Sequence, residues 1–154
     1  MNYPELDINL TDDETAIKDM AQRFGREVVR PAGIRLDRLA DPADMIAPDS
    51  ELWDVHRAYR ELGLHKLRFP AEVGGMGGQT SLLSGILISE NLGYADSGLA
   101  LSMAVTGSPF GYAAMSDDPE LKDWARAFTA DTKAEMIGCW AITEPDHGSD
   151  WIMA

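Results

Sequence analysis

Residues 140–150 read WAITEPDHGSD, and the fate of this stretch decides how the chain is understood. Just before and into it, Met136, Gly138, Trp140 and Ile142 alternate with Ile137, Cys139, Ala141 and Thr143. That period of two predicts a strand. The stretch then breaks into Glu144-Pro145-Asp146-His147-Gly148-Ser149-Asp150, dense in turn formers and carboxylates. A single strand cannot satisfy its own backbone donors and acceptors. The pattern therefore predicts a first domain over residues 1–132, and the start of a second, sheet-containing domain over 133–154.

Upstream the period is helical. Thr11-Asp12-Asp13-Glu14 fits the capping box, and Ile17, Met20, Ala21, Phe24 and Val28 form one apolar face. Pro31 is expected to end or kink that helix. Residues 40–50 read as a loop. Ser50 can cap a second helix with Leu52, Val55, Tyr59 and Leu62 inward and Gly63 at its C-terminal end. Leu64 to Phe69 is too short to assign, and Pro70 opens a glycine-rich loop. A third helix is expected over about 80–92, carrying Leu82, Leu83, Ile86 and Leu87 and stopped by Gly93. A fourth starts at Asp96 or Ser97, and a fifth at Asp118-Pro119, with Leu121, Trp124, Ala125 and Phe128 as its buried stripe. The fold class expected is mainly α: an up-and-down bundle of about five helices, followed by the first strand of a β domain absent from this chain.

The totals exclude several functions. Thirteen Lys and Arg stand against 26 Asp and Glu, for a net charge of −13, which supplies no basic footprint for nucleic acid or an anionic membrane surface. An anionic ligand must be held by local backbone N–H groups. One cysteine, Cys139, permits no internal disulfide and suggests no cysteine metal site. With an N-terminus lacking a basic leader, this points to a cytoplasmic protein. The uncharged run from Ser97 to Ser116 has the length of a membrane span. It is interrupted by Gly98, Gly107, Gly111 and Pro109 and is only weakly apolar, so a buried helix lining a core or pocket is the better reading.

Few side chains announce chemistry. The loop Gly74-Gly75-Met76-Gly77-Gly78 misses the dinucleotide fingerprint, because Thr80 stands at the last glycine position, and it lacks a P-loop lysine. It reads as a tight connection. His56 reads as a core or boundary histidine and His65 as a surface one. His147 is either a polar loop side chain or a base. No spacing suggests a metal site, and nothing fixes a base beside Ser149. Glu144 and Asp150 are either paired acids or groups that hold the turn. The strand-to-loop segment offers an aromatic face at Trp140, hydroxyls at Thr143 and Ser149, and close backbone approach at Gly148. This suits an aromatic, phosphate-bearing cofactor.

Three ordered motifs carry a resemblance. Ala141-Ile142-Thr143-Glu144-Pro145 followed by Gly148-Ser149-Asp150 is similar to the flavin signature of the acyl-CoA dehydrogenase family. Pro70-Ala71-Glu72-Val73-Gly74-Gly75-Met76-Gly77 and Ser89-Glu90-Asn91-Leu92-Gly93-Tyr94-Ala95-Asp96-Ser97 resemble two of its loops. The resemblance covers about residues 10–150. It implies that 140–150 leaves an N-terminal helical domain, enters a middle β domain and lines the flavin, and that this chain resembles an N-terminal fragment.

The resemblance also implies a reaction. A glutamate base removes the α proton of an acyl-CoA thioester while the β hydrogen passes as hydride to FAD. No residue here matches that base, so no catalytic residue is assigned. Trp140, Ile142, Thr143, Gly148 and Ser149 are the implied FAD contacts, and Ser149 also approaches the acyl-CoA. Helices over about 80–115 are expected to line the acyl pocket. An electron-transfer flavoprotein and a homo-oligomeric state (dimer or tetramer) are implied for the full-length enzyme. His147 and Met153 depart from the small residues usual at their positions, which leaves the substrate subclass open. The competing readings are an acyl-CoA oxidase or flavin monooxygenase of the same architecture, and a non-catalytic helical binding or assembly module.

Overall fold

The first helix begins where its cap dictates. Thr11 Oγ1 accepts the Glu14 N–H at 3.2 Å and the Glu14 carboxylate accepts the Thr11 N–H at 2.9 Å, so two of the orphan donors of a helix start are satisfied reciprocally. In the computed structural model, which describes residues 9–141, 144–146 and 148, helix α1 spans Asp12–Phe24. It runs on through a π-helical turn, Gly25–Val29, into α2, Arg30–Leu36. Pro31 thus does not end the helical run. Its ring opposes the carbonyl of Glu27, which lies inside the π turn, and the wider turn accommodates it.

A 3₁₀ turn, Pro42–Ile46, leads to α3, Glu51–Glu61, capped by the Ser50 hydroxyl. Gly63 closes α3 with φ +72°, the left-handed conformation glycine adopts without cost. Two short 3₁₀ turns, Leu64–Lys66 and Ala71–Val73, precede α4, Leu82–Ala95, and α5, Ser97–Thr106. Asp96 separates the last two, its carboxylate accepting the Leu99 N–H at 2.9 Å. The expected stop at Gly93 does not occur, since α4 continues to Ala95. The uncharged run holds two helices, because Gly107 divides α5 from α6, Ser108–Met115. Finally α7, Pro119–Ala130, starts at the Asp118 cap as its proline predicts.

The architecture is mainly helical. Taking α1 to α2 as one rod and α5 to α6 as another, the described residues form the five expected rods. No helix among them is long and apolar enough to cross a membrane.

Two apolar clusters hold the bundle. In the larger one, Phe24 and Val29 of the first rod meet Val55 of α3, Ile88 and Leu92 of α4, and Leu99 and Met103 of α5. The smaller one packs Phe69 and Val73 against Ala113 and Ala114 of α6 and Ala125 and Phe128 of α7. Phe128 is its hub: Phe110 stacks on it at 4.3 Å, and Phe69 lies 5.3 Å away. Trp124, expected in this stripe, is instead exposed. Residues 121, 125 and 128 already fill the inward face, and position 124 falls at its edge. Leu62 is likewise exposed, lying past the last turn of α3.

The expected strand is not formed among the described residues. Residues 134–141 carry no sheet ladder, and Ile142 and Thr143 lie outside the described residues. A ladder requires a neighbouring strand, and none is present among the described residues. The period of two nonetheless survives as burial: Ala134, Met136 and Gly138 are half-buried, while Glu135, Ile137 and Cys139 are exposed.

Candidate functional site

The segment from Asp131 to Trp140 leaves α7 and crosses the α5–α6 junction. Gly138 makes the crossing possible. A Cβ at this position would lie 2.5 Å from the Thr106 carbonyl oxygen and 2.8 Å from Pro109 Cγ, so any side chain would force the segment off the helices. Two residues on, Trp140 meets Tyr112 of α6 edge to face, with ring centroids 6.2 Å apart. Tyr112 is 62% exposed and Trp140 44%, so each ring keeps open surface beyond their mutual contact.

A buried charge anchors the start of the segment. Arg60 of α3 is 2% exposed and sits with its guanidinium carbon 4.5 Å above the Phe128 ring. Its Nη1 donates to Asp131 Oδ2 at 2.6 Å and its Nη2 donates to the Met136 carbonyl at 2.6 Å. The same Asp131 oxygen accepts the Met136 N–H at 2.8 Å, while Oδ1 accepts the Lys133 N–H at 2.9 Å. Burial pushes the Asp131 carboxyl upward, but the N–H groups of Met136 and Glu135, with the Arg60 charge and the Lys133 N–H, outweigh it and hold the group below its usual range. Both backbone polar groups of Met136 are thereby satisfied by side chains, without a strand partner. Sequence reading missed this arrangement. Its signal was Arg60 itself, eight residues after Leu52 on the apolar stripe of α3, where a charge demands a partner.

Of the five residues expected to contact a cofactor, Trp140 and Gly148 are described, exposed and half-buried respectively. Ile142, Thr143 and Ser149 lie outside the described residues, as does His147. Glu144 and Asp146 are exposed. Cys139 is a free, exposed thiol.

The remaining sequence candidates resolve as structure. His56 is buried, and its Nε2 lies 3.0 Å from Ser102 Oγ of α5. Burial, helped by the Arg60 charge, lowers its pKa to about 4, so the ring is neutral at physiological pH. His65 is a correction: it is buried and not a surface residue, because the 3₁₀ turn carrying it packs edge-on against Phe128 at 5.7 Å. Its Nε2 donates to the Thr129 carbonyl at 3.1 Å.

The glycine loop is a tight connection. The Gly75 N–H donates to Pro70 O at 3.0 Å, Met76 N–H to Lys66 O at 3.0 Å and Gly77 N–H to Phe69 O at 2.7 Å. These amides point into the chain and do not form an anion cradle. Among the described residues, no three His, Cys, Asp or Glu converge as a metal site would require.

Comparison with known proteins agrees with the helical fold. Residues 11–117 match the family model described as acyl-CoA dehydrogenase, N-terminal domain. A probable acyl-CoA dehydrogenase of Bacillus subtilis (strain 168) is 26% identical over 149 residues, covering 94% of this chain and 35% of the relative. Benzylmalonyl-CoA dehydrogenase of Aromatoleum aromaticum is 31% identical over 157 residues, again covering 94% and 35%. Among solved structures, an active-site mutant of nitroalkane oxidase crystallised with 1-nitrooctane superposes with a TM-score of 0.76 at 19% identity, covering 95% of this chain and 33% of that one. This last likeness concerns the fold. The chain spans about a third of the length of these curated relatives. With a family model matched over well more than half its residues, the chain belongs to the acyl-CoA dehydrogenase family.

Proposed function

We propose that residues 1–132 are the N-terminal helical domain, and 133–154 the entry to a β domain, of an FAD-dependent enzyme that dehydrogenates acyl-CoA thioesters between the α and β carbons. The observation that carries this reading is the crossing segment. It is held against α5 and α6 by Gly138 and brings Trp140, half-exposed and edge-on to Tyr112, to the head of the sequence that resembles the flavin signature. A flat aromatic ring with open surface fits one side of a planar cofactor. When bound, FAD would supply the hydride acceptor. Trp140, Ile142, Thr143, Gly148 and Ser149 are the residues assigned to hold it, with Ser149 also toward the acyl-CoA.

The chain's own contribution is binding, orientation and exclusion of water. Helices α5 and α6 carry no charged residue and α4 carries only Glu90, and none of the three has a single apolar stripe. Their outer face leaves Leu82, Ile86, Leu101 and Met115 exposed, which suits the wall of an acyl pocket. Glu90 is the one charged residue of these three helices and is not matched to the base; the proton-abstracting group is assigned to the part of the enzyme beyond this chain. An electron-transfer flavoprotein as acceptor, a homo-oligomeric state and a cytoplasmic location belong to the same proposal.

The test is expression of the full reading frame that contains this sequence. The expected result is a yellow protein that reduces its flavin on adding acyl-CoA and transfers electrons to a flavoprotein acceptor. A full-length product without flavin, inert toward acyl-CoA thioesters, refutes the proposal. Rapid reoxidation of the reduced flavin by oxygen would instead favour an oxidase or monooxygenase on the same fold.

A further inference from the structure

We propose that Arg60 is a positioning residue for the cofactor-facing segment: through Asp131 and the Met136 backbone it sets where Trp140 lies on α6. The proposal rests on the reading of Trp140 as part of a cofactor wall.

Three observations support it. First, the contacts are out of proportion to a bond that merely ends a helix. One fully buried guanidinium bonds a carboxylate and a carbonyl on two residues five apart, and that carboxylate bonds the N–H of the second. The result is a closed ring of charge-assisted bonds, which have stricter geometry than neutral ones. Second, the backbone inside the ring is forced. Ala134 has φ +58° and is the one non-glycine at positive φ among the described residues. Such a conformation persists only where the surroundings over-determine it. Third, the ring lies directly upstream of a rigid path. Gly138 has no room to shift toward Thr106 and Pro109, and Trp140 follows at Tyr112. A segment pinned at Met136 and at Gly138 delivers Trp140 to one place.

A buried ion pair is weak evidence for stability, because removing the charges from water opposes their attraction. That weakness provides the test. Replacing both charges with apolar residues, Arg60→Met with Asp131→Leu, leaves no orphaned ion. It also leaves nothing to bond Met136. A structural role and a positioning role then predict different outcomes.

The experiment uses the 154-residue chain labelled with fluorotryptophan, the Trp140 resonance being assigned from Trp140→Phe. Amide hydrogen exchange is followed in parallel. In the double variant and in Arg60→Lys, which keeps the charge but loses the planar fork, the helices are expected to keep their protection. Amides 135–141 should exchange at least about tenfold faster, and the Trp140 resonance should lose its Tyr112 shift. If the Trp140 signature stays unchanged in Arg60→Lys, or returns in the double variant together with thermal stability, the positioning role is overturned. Should the double variant fail to fold, Arg60→Lys decides alone. A flavin-free full-length protein would sink the cofactor reading without altering these measurements, so the two failures are distinguishable.

Discussion

Replacing His56 by glutamine should remove a pH dependence that the structure predicts in both sign and size. His56 is 2% exposed, bonded to Ser102 and close to the Arg60 guanidinium, and its pKa is lowered from 6.5 to about 4, first by burial and then by Arg60. Between those two values the unfolded chain binds a proton that the folded chain does not. Stability therefore falls as pH drops through that window, and is independent of His56 above it. At about 1.4 kcal/mol per pH unit, the interval amounts to ~3 kcal/mol by pH 4, and to ~2 kcal/mol by pH 5.

His65 acts in the same direction, its pKa also lowered chiefly by burial, so the wild-type curve alone does not isolate His56. The difference between wild type and His56→Gln does. Glutamine keeps a polar group toward Ser102 but cannot titrate. Urea unfolding followed by circular dichroism at pH 7, 6 and 5 gives both stabilities. Wild type is expected to be the more stable at pH 7, and its advantage should shrink by ~2 kcal/mol by pH 5. Of the carboxylates held low, Asp131 loses its contribution below its ordinary 3.8, and Glu14 and Glu51 below their ordinary 4.5; both proteins share these groups, so they cancel in the difference. A difference that stays constant from pH 7 to pH 5 would refute the argument, as would a His56 ring that titrates near 6.5 in the folded protein.

Gly138→Ala should cost about 1–3 kcal/mol, because the new methyl meets the Thr106 carbonyl and the Pro109 ring; denaturant unfolding checks it. In the glycine loop the two reasons for glycine separate. Gly75→Ala places a Cβ 2.0 Å from Phe69 O and should cost at least about 3 kcal/mol, whereas Gly78→Ala has open space at φ +84° and should cost only about 1–2 kcal/mol. Thr11→Ala, breaking the capping box, should cost about 1 kcal/mol, measured by thermal unfolding. The isolated 154-residue chain is expected to be inactive toward acyl-CoA thioesters and to self-associate through its exposed apolar face; a monomer across the concentration range in sedimentation would refute the second part.

The helices were legible because their signals are local. A capping box at Thr11 and Glu14, a Ser50 cap and Pro119 after Asp118 each lie within a turn of the start they define, and all three hold. What was not legible depends on distance along the chain. Arg60 and Asp131 are 71 residues apart, and no spacing rule joins them. His65 reads as a surface residue because it stands beside Lys66 in a short link, yet its burial is set by Phe128. The alternation marks Met136 and Gly138 as inward and ends at Trp140, which is exposed; whether that side meets a sheet depends on strands elsewhere. Of the candidate site, sequence identified the residue types, while the structure supplied what holds Trp140 in place.

One further contrast ties the fold to the proposed site. Helices α1, α3 and α7 each have one apolar stripe, the pattern of a helix with water on its other side. Helices α4, α5 and α6 do not, Glu90 being their one charged residue, and helices of this kind belong between two buried surfaces. The inner side of α4 and α5 meets the first rod and α3 through Ile88, Leu92, Leu99 and Met103, and that of α6 meets α7 through Ala113 and Ala114. Their outer side carries Leu82, Ile86, Leu101 and Met115 uncovered. Trp140 reaches α6 at Tyr112. Trp140, proposed to face FAD, thus meets the same helix that leaves Met115 uncovered. A substrate that must present its α and β carbons to a flavin needs that arrangement, because the apolar wall and the ring face have to flank one cavity.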